Sequence, residues 1–588
     1  MDNKTAAILI ESLMERIERD QTIGSVSSLE RRALLLALAA LQGSSATQAP
    51  LAIEPVAPAT GTPATAEVVE TATPTASGPV ASAIIEVKAA EPVQAASLPE
   101  ITLALTAIER DEVTDPEVLL CLDFGTAMSK AFATVFPDKY LDLELGTEAG
   151  RQGYTLPSSV FIGDDGKAYF GFEAIEMSQD LVDSGRERLD SIKGWLSLRR
   201  EGNLDGEACL LQKAMNPTAY RLTQGDLIRV YLAYLTDMAE KSLAYHSVKD
   251  PRYAKRRFAR PCWPDAAQAQ WADRLMRTML AEAQILADTF SDRWSGGIPV
   301  ADLKAAVEKI KALNKRPEYL IDDGVPEPVA VAAGAIADSE NLRDAFMVVD
   351  VGAGTTDFGL FISTHRPEDG ELRVFQVPAS IHGLMQAGDK VDGLLRGFIA
   401  QRESIDPSDN SGRMILADLT RRIRGLKETL FKTGRLEYAL ADGTVGEIKL
   451  EDFLADEKVT RFAQAVESGF RKALDAVDET WLRWLAMDGV RLHVVLTGGS
   501  SPLPMMQALG KGPIDVKGHR IVRQAVDPKP QWMKDMPDEL LTVYPQLAVA
   551  IGGAAETMPE TLTAPPAFGG GGARHHGYVA GNLRISGS

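Results

Sequence analysis

The chain has 588 residues, 45% of them hydrophobic and 24% charged, with a formal net charge of -20. That length and balance suit a globular chain of more than one domain, and the acidic surplus argues against nucleic-acid or anionic-membrane partners. Cys121, Cys209 and Cys262 stand far apart, no apolar run is long enough to span a membrane, and acids interrupt the apolar amino terminus, all of which points to the cytoplasm.

Residues 1–43 are expected to form a helical hairpin. Ile8, Ile10, Leu13, Met14 and Ile17 recur at helical spacing, and Ser27 with Glu30 forms a capping box ahead of ERRALLLALAALQ. Two such helices are too small for a strong core, so they are expected either to seek a protein partner or client or to pack on the main body as a helical extension. Residues 44–100 are rich in Ala, Pro and Thr with no aromatic residue, the composition of a disordered linker. The tail, 563–588, is Gly-rich and reads as flexible, and its adjacent His575 and His576 have no third metal ligand in view.

The body, 101–562, opens with the strand VLLCLDFG and a second, KAFATVF. A long helix is expected from Asp265, an extra one over Val300–Leu313, and another from Val459 to Met487. Strand runs recur at Phe346–Val351 and Leu492–Leu496, and Asp442-Gly443 reads as a hairpin turn between LEYAL and GEIKL. Strands mixed with long helices predict an α/β fold.

Three glycine turns carry the chemistry. Asp350 to Asp357 reads Asp-x-Gly-x-Gly-Thr-x-Asp, with Gly352, Gly354, Thr355 and Thr356 inside it. Asp123-Phe124-Gly125-Thr126 ends the first strand, and Gly498-Gly499-Ser500 ends the strand at Leu492. Backbone N–H groups in such turns form anion-binding concavities, and nearby carboxylates bind magnesium through its waters. A P-loop, a dinucleotide fingerprint, a nucleophile elbow and a His-Glu-x-x-His helix are all absent.

In this order the three turns resemble the motifs of the actin, sugar-kinase and heat-shock ATPase superfamily. LDFGTAMSK is similar to its first phosphate motif, DVGAGTTDFGLF to its second and LTGGSSPLPMM to its adenosine motif. Within that superfamily the chain looks most like the nucleotide-binding domain of the seventy-kilodalton heat-shock (DnaK-like) chaperones, over most of residues 117–556. LPSSV with GKAYFGFEA, LDSIKG, GVPEPVAVAAGAIA and YPQLAVAIGGAA carry that likeness.

The resemblance implies a two-lobed actin-like fold of duplicated ribonuclease-H-like lobes. The first lobe would span about 113–345 plus 541–562 and the second about 346–540, with ATP and Mg2+ between them. Asp123, Asp350 and Asp357 would organise the metal, largely through water. Gly125, Thr126, Gly352, Gly354, Thr355 and Thr356 would hold phosphates, and Gly498, Gly499 and Ser500 the nucleoside. Gly388 and Asp389 would lie near the ribose, with Lys427 on the adenosine side. Lys193 and Glu327, with Asp350 and Thr355, would serve hydrolysis. Read alone, Lys193 also fits a solvated helix lysine, Glu327 a turn acid, and Asp389 and Asp392 helix caps.

Departures from the family accompany the likeness. Ala127 replaces a threonine, Ala353 a glycine and Pro502 an arginine, while IRGLKETLFK around Lys427 lacks the family's acid and serine. No substrate-binding β-domain follows residue 556, so a peptide-clamping cycle is not expected of this chain alone. The expected function is a chaperone-like Mg-dependent ATPase whose nucleotide state gates a partner. An actin-like nucleotide-dependent scaffold and a nucleotide-binding pseudo-ATPase are the alternatives.

Overall fold

The runs Val118–Asp123 and Ala345–Val351 are buried along their whole length. Strands of that kind need cover on both faces, and each lies at the centre of its own sheet. The protein, described by a computed structural model over residues 97–137, 139–179, 186–198, 204–263, 265–336, 345–365 and 372–565, is mixed α/β. The expected helices of 1–43, the linker up to 96 and the tail from 566 lie outside the described residues.

In a six-stranded sheet, Val118–Asp123 runs antiparallel to Met128–Val135 and parallel to Lys255–Arg260. Lys139–Asp142 and Thr155–Pro157 extend the antiparallel side, and Ile321–Pro326 the parallel one. An eight-stranded sheet repeats this kernel: Ala345–Val351 is antiparallel to Thr356–His365 and parallel to Leu492–Thr497. In both kernels an aspartate stands at or next to the end of the central strand. Asp123 pairs with Lys130, while Asp350 pairs with Asp357 on one side and Thr497 on the other.

Alternation sorts the central side chains between layers. Val118, Leu120 and Leu122 enter one core, which includes the helices Gln224–Tyr245 and Ala266–Phe290. Met347, Val349 and Val351 enter a second core with Glu457–Asp475. Cys121 and Phe132 of the first sheet meet Phe346, Val348 and Val495 of the second in a third core, built around the helices Glu327–Ala335 and Asp538–Gly553. Each large apolar side chain buried there contributes roughly 1.5–3 kcal/mol.

Small residues set that helix crossing. A Cβ added to Gly552 would stand 1.7 Å from the Ala330 carbonyl oxygen, and one on Gly334 would stand 3.0 Å from the Gly552 Cα. Thr223 and Asp226 open Gln224–Tyr245 with a reciprocal capping box, and Asp265 caps Ala266–Phe290.

The extra helix forms as Val300–Lys311, and the hairpin as Arg435–Ala439 against Val445–Lys449. The helix expected over 459–487 is instead two, Glu457–Asp475 and Glu479–Leu485. Asp478 Oδ1 accepts the Thr480 N–H at 2.9 Å and so starts a new helix. Among the described residues, no helix is long and apolar enough to cross a membrane.

Candidate functional site

The three glycine turns open onto one cavity of about 530 Å³. Its wall contains Asp123, Gly125, Thr126, Lys193, Glu327 and Asp350. It also contains Gly352, Thr355, Lys427, Gly498, Gly499 and Ser500. The second and third turns are fixed by backbone hydrogen bonds. Gly352 N–H donates to Thr355 O at 3.0 Å, Gly498 N–H to Pro545 O at 2.6 Å, and Ser500 N–H to Val351 O at 3.0 Å. Gly498 has φ +85°, and a Cβ there would stand 2.3 Å from the Val351 carbonyl oxygen, so that turn demands glycine.

One end of the cavity is a charge cluster. Lys193 Nζ donates to Glu327 Oε1 at 2.8 Å with both side chains buried, and Lys130 Nζ donates to Asp123 Oδ2 at 2.9 Å. Asp350 Oδ1 accepts from Thr497 Oγ1 at 2.8 Å. Burial and the Glu327 charge push Asp350 up to about 7, against that hydrogen bond. Burial opposes the Lys193 charge, but Glu327, Asp123 and Asp357 outweigh it and hold the ammonium above the ordinary lysine range.

Five of the residues singled out in the sequence lie beside the cavity and not in its wall. Asp357 is fully buried behind it, with Oδ1 accepting the Cys262 N–H at 2.7 Å and Oδ2 without a hydrogen-bond partner. Burial and Glu327 raise its pKa well above the carboxylate range. Thr356 donates its hydroxyl to Gln386 O at 2.8 Å, which ties the second turn to the segment ahead of the helix Gly388–Arg402. Gly354 packs on Thr126, since a Cβ there would stand 2.8 Å from Thr126 Oγ1; Gly388 likewise packs on Ser500. Asp389 accepts from Ser191 Oγ at 2.8 Å and pairs with Arg424 at 3.2 Å.

Four residues that sequence reasoning gave no role take part. Lys130 and Thr497 hold the two strand-end aspartates, Arg424 lines the cavity and pairs with Asp389 and Asp392, and Phe431 adds an aromatic ring to the wall. Lys130 and Thr497 carry a signal only once strand register is known. Arg424 and Phe431 are one turn on either side of Lys427, a helical spacing that could have found them.

The donor set fits a phosphate-held magnesium ion better than a protein-only metal centre. Among the described residues, no group of three His, Cys, Asp or Glu is placed to hold a metal by itself. Asp123 and Asp350, whose carboxylates stand in the cavity wall, are acceptors suited to the waters of such an ion.

No family model matches the chain. The chaperone protein HscA homolog of Shewanella amazonensis is 29% identical over 232 residues, 38% of this chain and 32% of the relative's own length. This similarity supports a heat-shock-70-like relationship at the level of the family. The match spans about a third of that chaperone.

Proposed function

We propose that the chain is a Mg-dependent ATPase of chaperone-like type, in which the two sheets and their helices form the lobes of an actin-like fold. One observation carries this reading: three glycine turns far apart in sequence converge, with Asp123, Asp350, Lys193 and Glu327, on a single cavity. The similarity to a chaperone adds to it.

The chemistry follows from the wall. N–H groups of the glycine turns and the hydroxyls of Thr126 and Thr355 bind phosphate oxygens. Asp123 and Asp350, backed by the buried Asp357, would hold the waters of magnesium, which neutralises phosphate charge when bound. Lys193 stays protonated because its pKa is raised, so it acts as a fixed cation toward the phosphoryl group and not as a base. Glu327, held by Lys193, orients a water for in-line attack. Ligand-driven closure of the cavity would reshape the outer surface and so gate a protein partner.

Phosphate release from ATP by the full chain, with and without EDTA, tests this reading. Expected are magnesium-dependent release and a loss of about 10²–10³ in rate for Lys193→Met. Ala127 lines the cavity where the resemblance implies a threonine hydroxyl, which favours a second reading of binding without turnover. ATP binding with no release above the EDTA control would select it.

A further inference from the structure

The cavity changes character beyond Lys427. Lys427 Nζ donates to Gly388 O at 3.4 Å and pairs with Asp392 at 2.9 Å, and Gly388 packs on Ser500, so contacts behind the wall bring the wall residues Lys427 and Ser500 near each other. One helical turn further on, Phe431 enters the wall, and on the other segment Pro502 and Leu503 follow Ser500. None of these three side chains can hydrogen-bond a ligand. Glu428 and Lys432, the charged wall residues beside Phe431, are solvent-exposed.

The Phe431 ring is held in place. It packs edge-on against Phe453 at 6.2 Å and 83°, and Phe453 is fully buried against Phe398 at 5.7 Å and 84°. A half-buried ring braced from behind by a buried aromatic pair offers a fixed face to a planar ligand.

We propose that this end of the cavity takes the base of a purine nucleotide by stacking on Phe431, without reading the base's hydrogen-bonding edge. The site therefore accepts ATP and GTP alike. The proposal rests on the nucleotide reading above and deepens it. Strong discrimination between ligands of similar shape needs a buried polar group that one of them leaves unpaired, and an apolar slot provides none. Stacking holds any base by its face, and a purine presents more face than a pyrimidine.

The test is calorimetric titration of the full chain with Mg-ATP, Mg-GTP and Mg-UTP, repeated on Phe431→Leu and Phe431→Tyr, with thermal unfolding as the check on folding. Expected are ATP and GTP affinities within about fivefold and UTP about tenfold weaker. Phe431→Leu should weaken ATP and GTP together by about tenfold, the lower range for a lost base–aromatic stack, and Phe431→Tyr should keep both. A preference for ATP over GTP of about 100-fold overturns the stacking proposal and leaves the nucleotide reading standing. Unchanged affinities in a folded Phe431→Leu protein do the same. No binding of any of the three overturns the nucleotide reading, and this proposal with it.

Discussion

Lys193 and Glu327 have side-chain exposures of 7% and 8%, and each is the other's countercharge. Removing one partner of a buried pair strands the other, at a cost of roughly 3–5 kcal/mol. Lys193→Met should therefore lower the urea midpoint of the ligand-free protein, and adding Glu327→Gln should restore part of the loss. Additive effects in that double-mutant cycle would show that the pair does not interact. Glu240 gives a pH prediction away from the site. Burial pushes it up to about 7 against the charge of Arg256, with Asp288 and Asp237 adding to the rise and Gln284 opposing it; Lys241 and Arg252 complete the charged surroundings. A carboxyl with a raised folded pKa binds more protons folded than unfolded, so its contribution falls as pH rises from about 4.5 to 7. Stability followed across that window should decline in wild type and decline less in Glu240→Gln. At this scale the sequence was informative where chemistry is local. Asp123, Asp350 and Thr355 sit in recognisable turns, whereas Lys130 and Thr497 acquire a partner only through strand pairing.

Elements carry the charge cluster into place. Glu327 begins one central helix, and Gln546 and Val549 of the other line the cavity, so the angle at which they cross sets the cavity's shape. Gly552→Ala would force a methyl against the Ala330 carbonyl oxygen. Overpacking of that kind costs typically 1–3 kcal/mol, and nucleotide affinity should fall with stability. A variant as stable as wild type would mean that the crossing tolerates separation. A second link spans the cavity: Ser191, in left-handed backbone at φ 59°, donates to Asp389 and accepts from Arg424 at 2.7 Å. Leu189 and Ile192 belong to the first core, while Val391 and Ile423 belong to the second. Arg424→Ala should weaken this link, leaving only the Ser191–Asp389 bond, and speed release of a fluorescent ATP analogue by about tenfold in stopped flow, with an unchanged release rate counting against any such role. The strands were legible because apolar runs end in glycine turns. The break at Asp478 was missed because an apolar periodicity continues through a capping aspartate that starts a second helix.

For the whole molecule, the sequence indicated an α/β chain but not which strands adjoin. Leu492–Thr497 lies beside Ala345–Val351 across some 140 intervening residues, and no local pattern encodes such a pairing. The resemblance alone implies a repeat, and the registers set Asp123 and Asp350 at corresponding positions of a common strand kernel in two sheets. On the proposed reading, these two kernels together build one nucleotide site. Calorimetric titration of the full chain with Mg-ATP, paired with thermal unfolding, tests it most directly. Saturable binding of one nucleotide per chain is expected, with about 2.7 kcal/mol of added stability at 100 times the dissociation constant. No heat and no shift in melting temperature at millimolar Mg-ATP would contradict it.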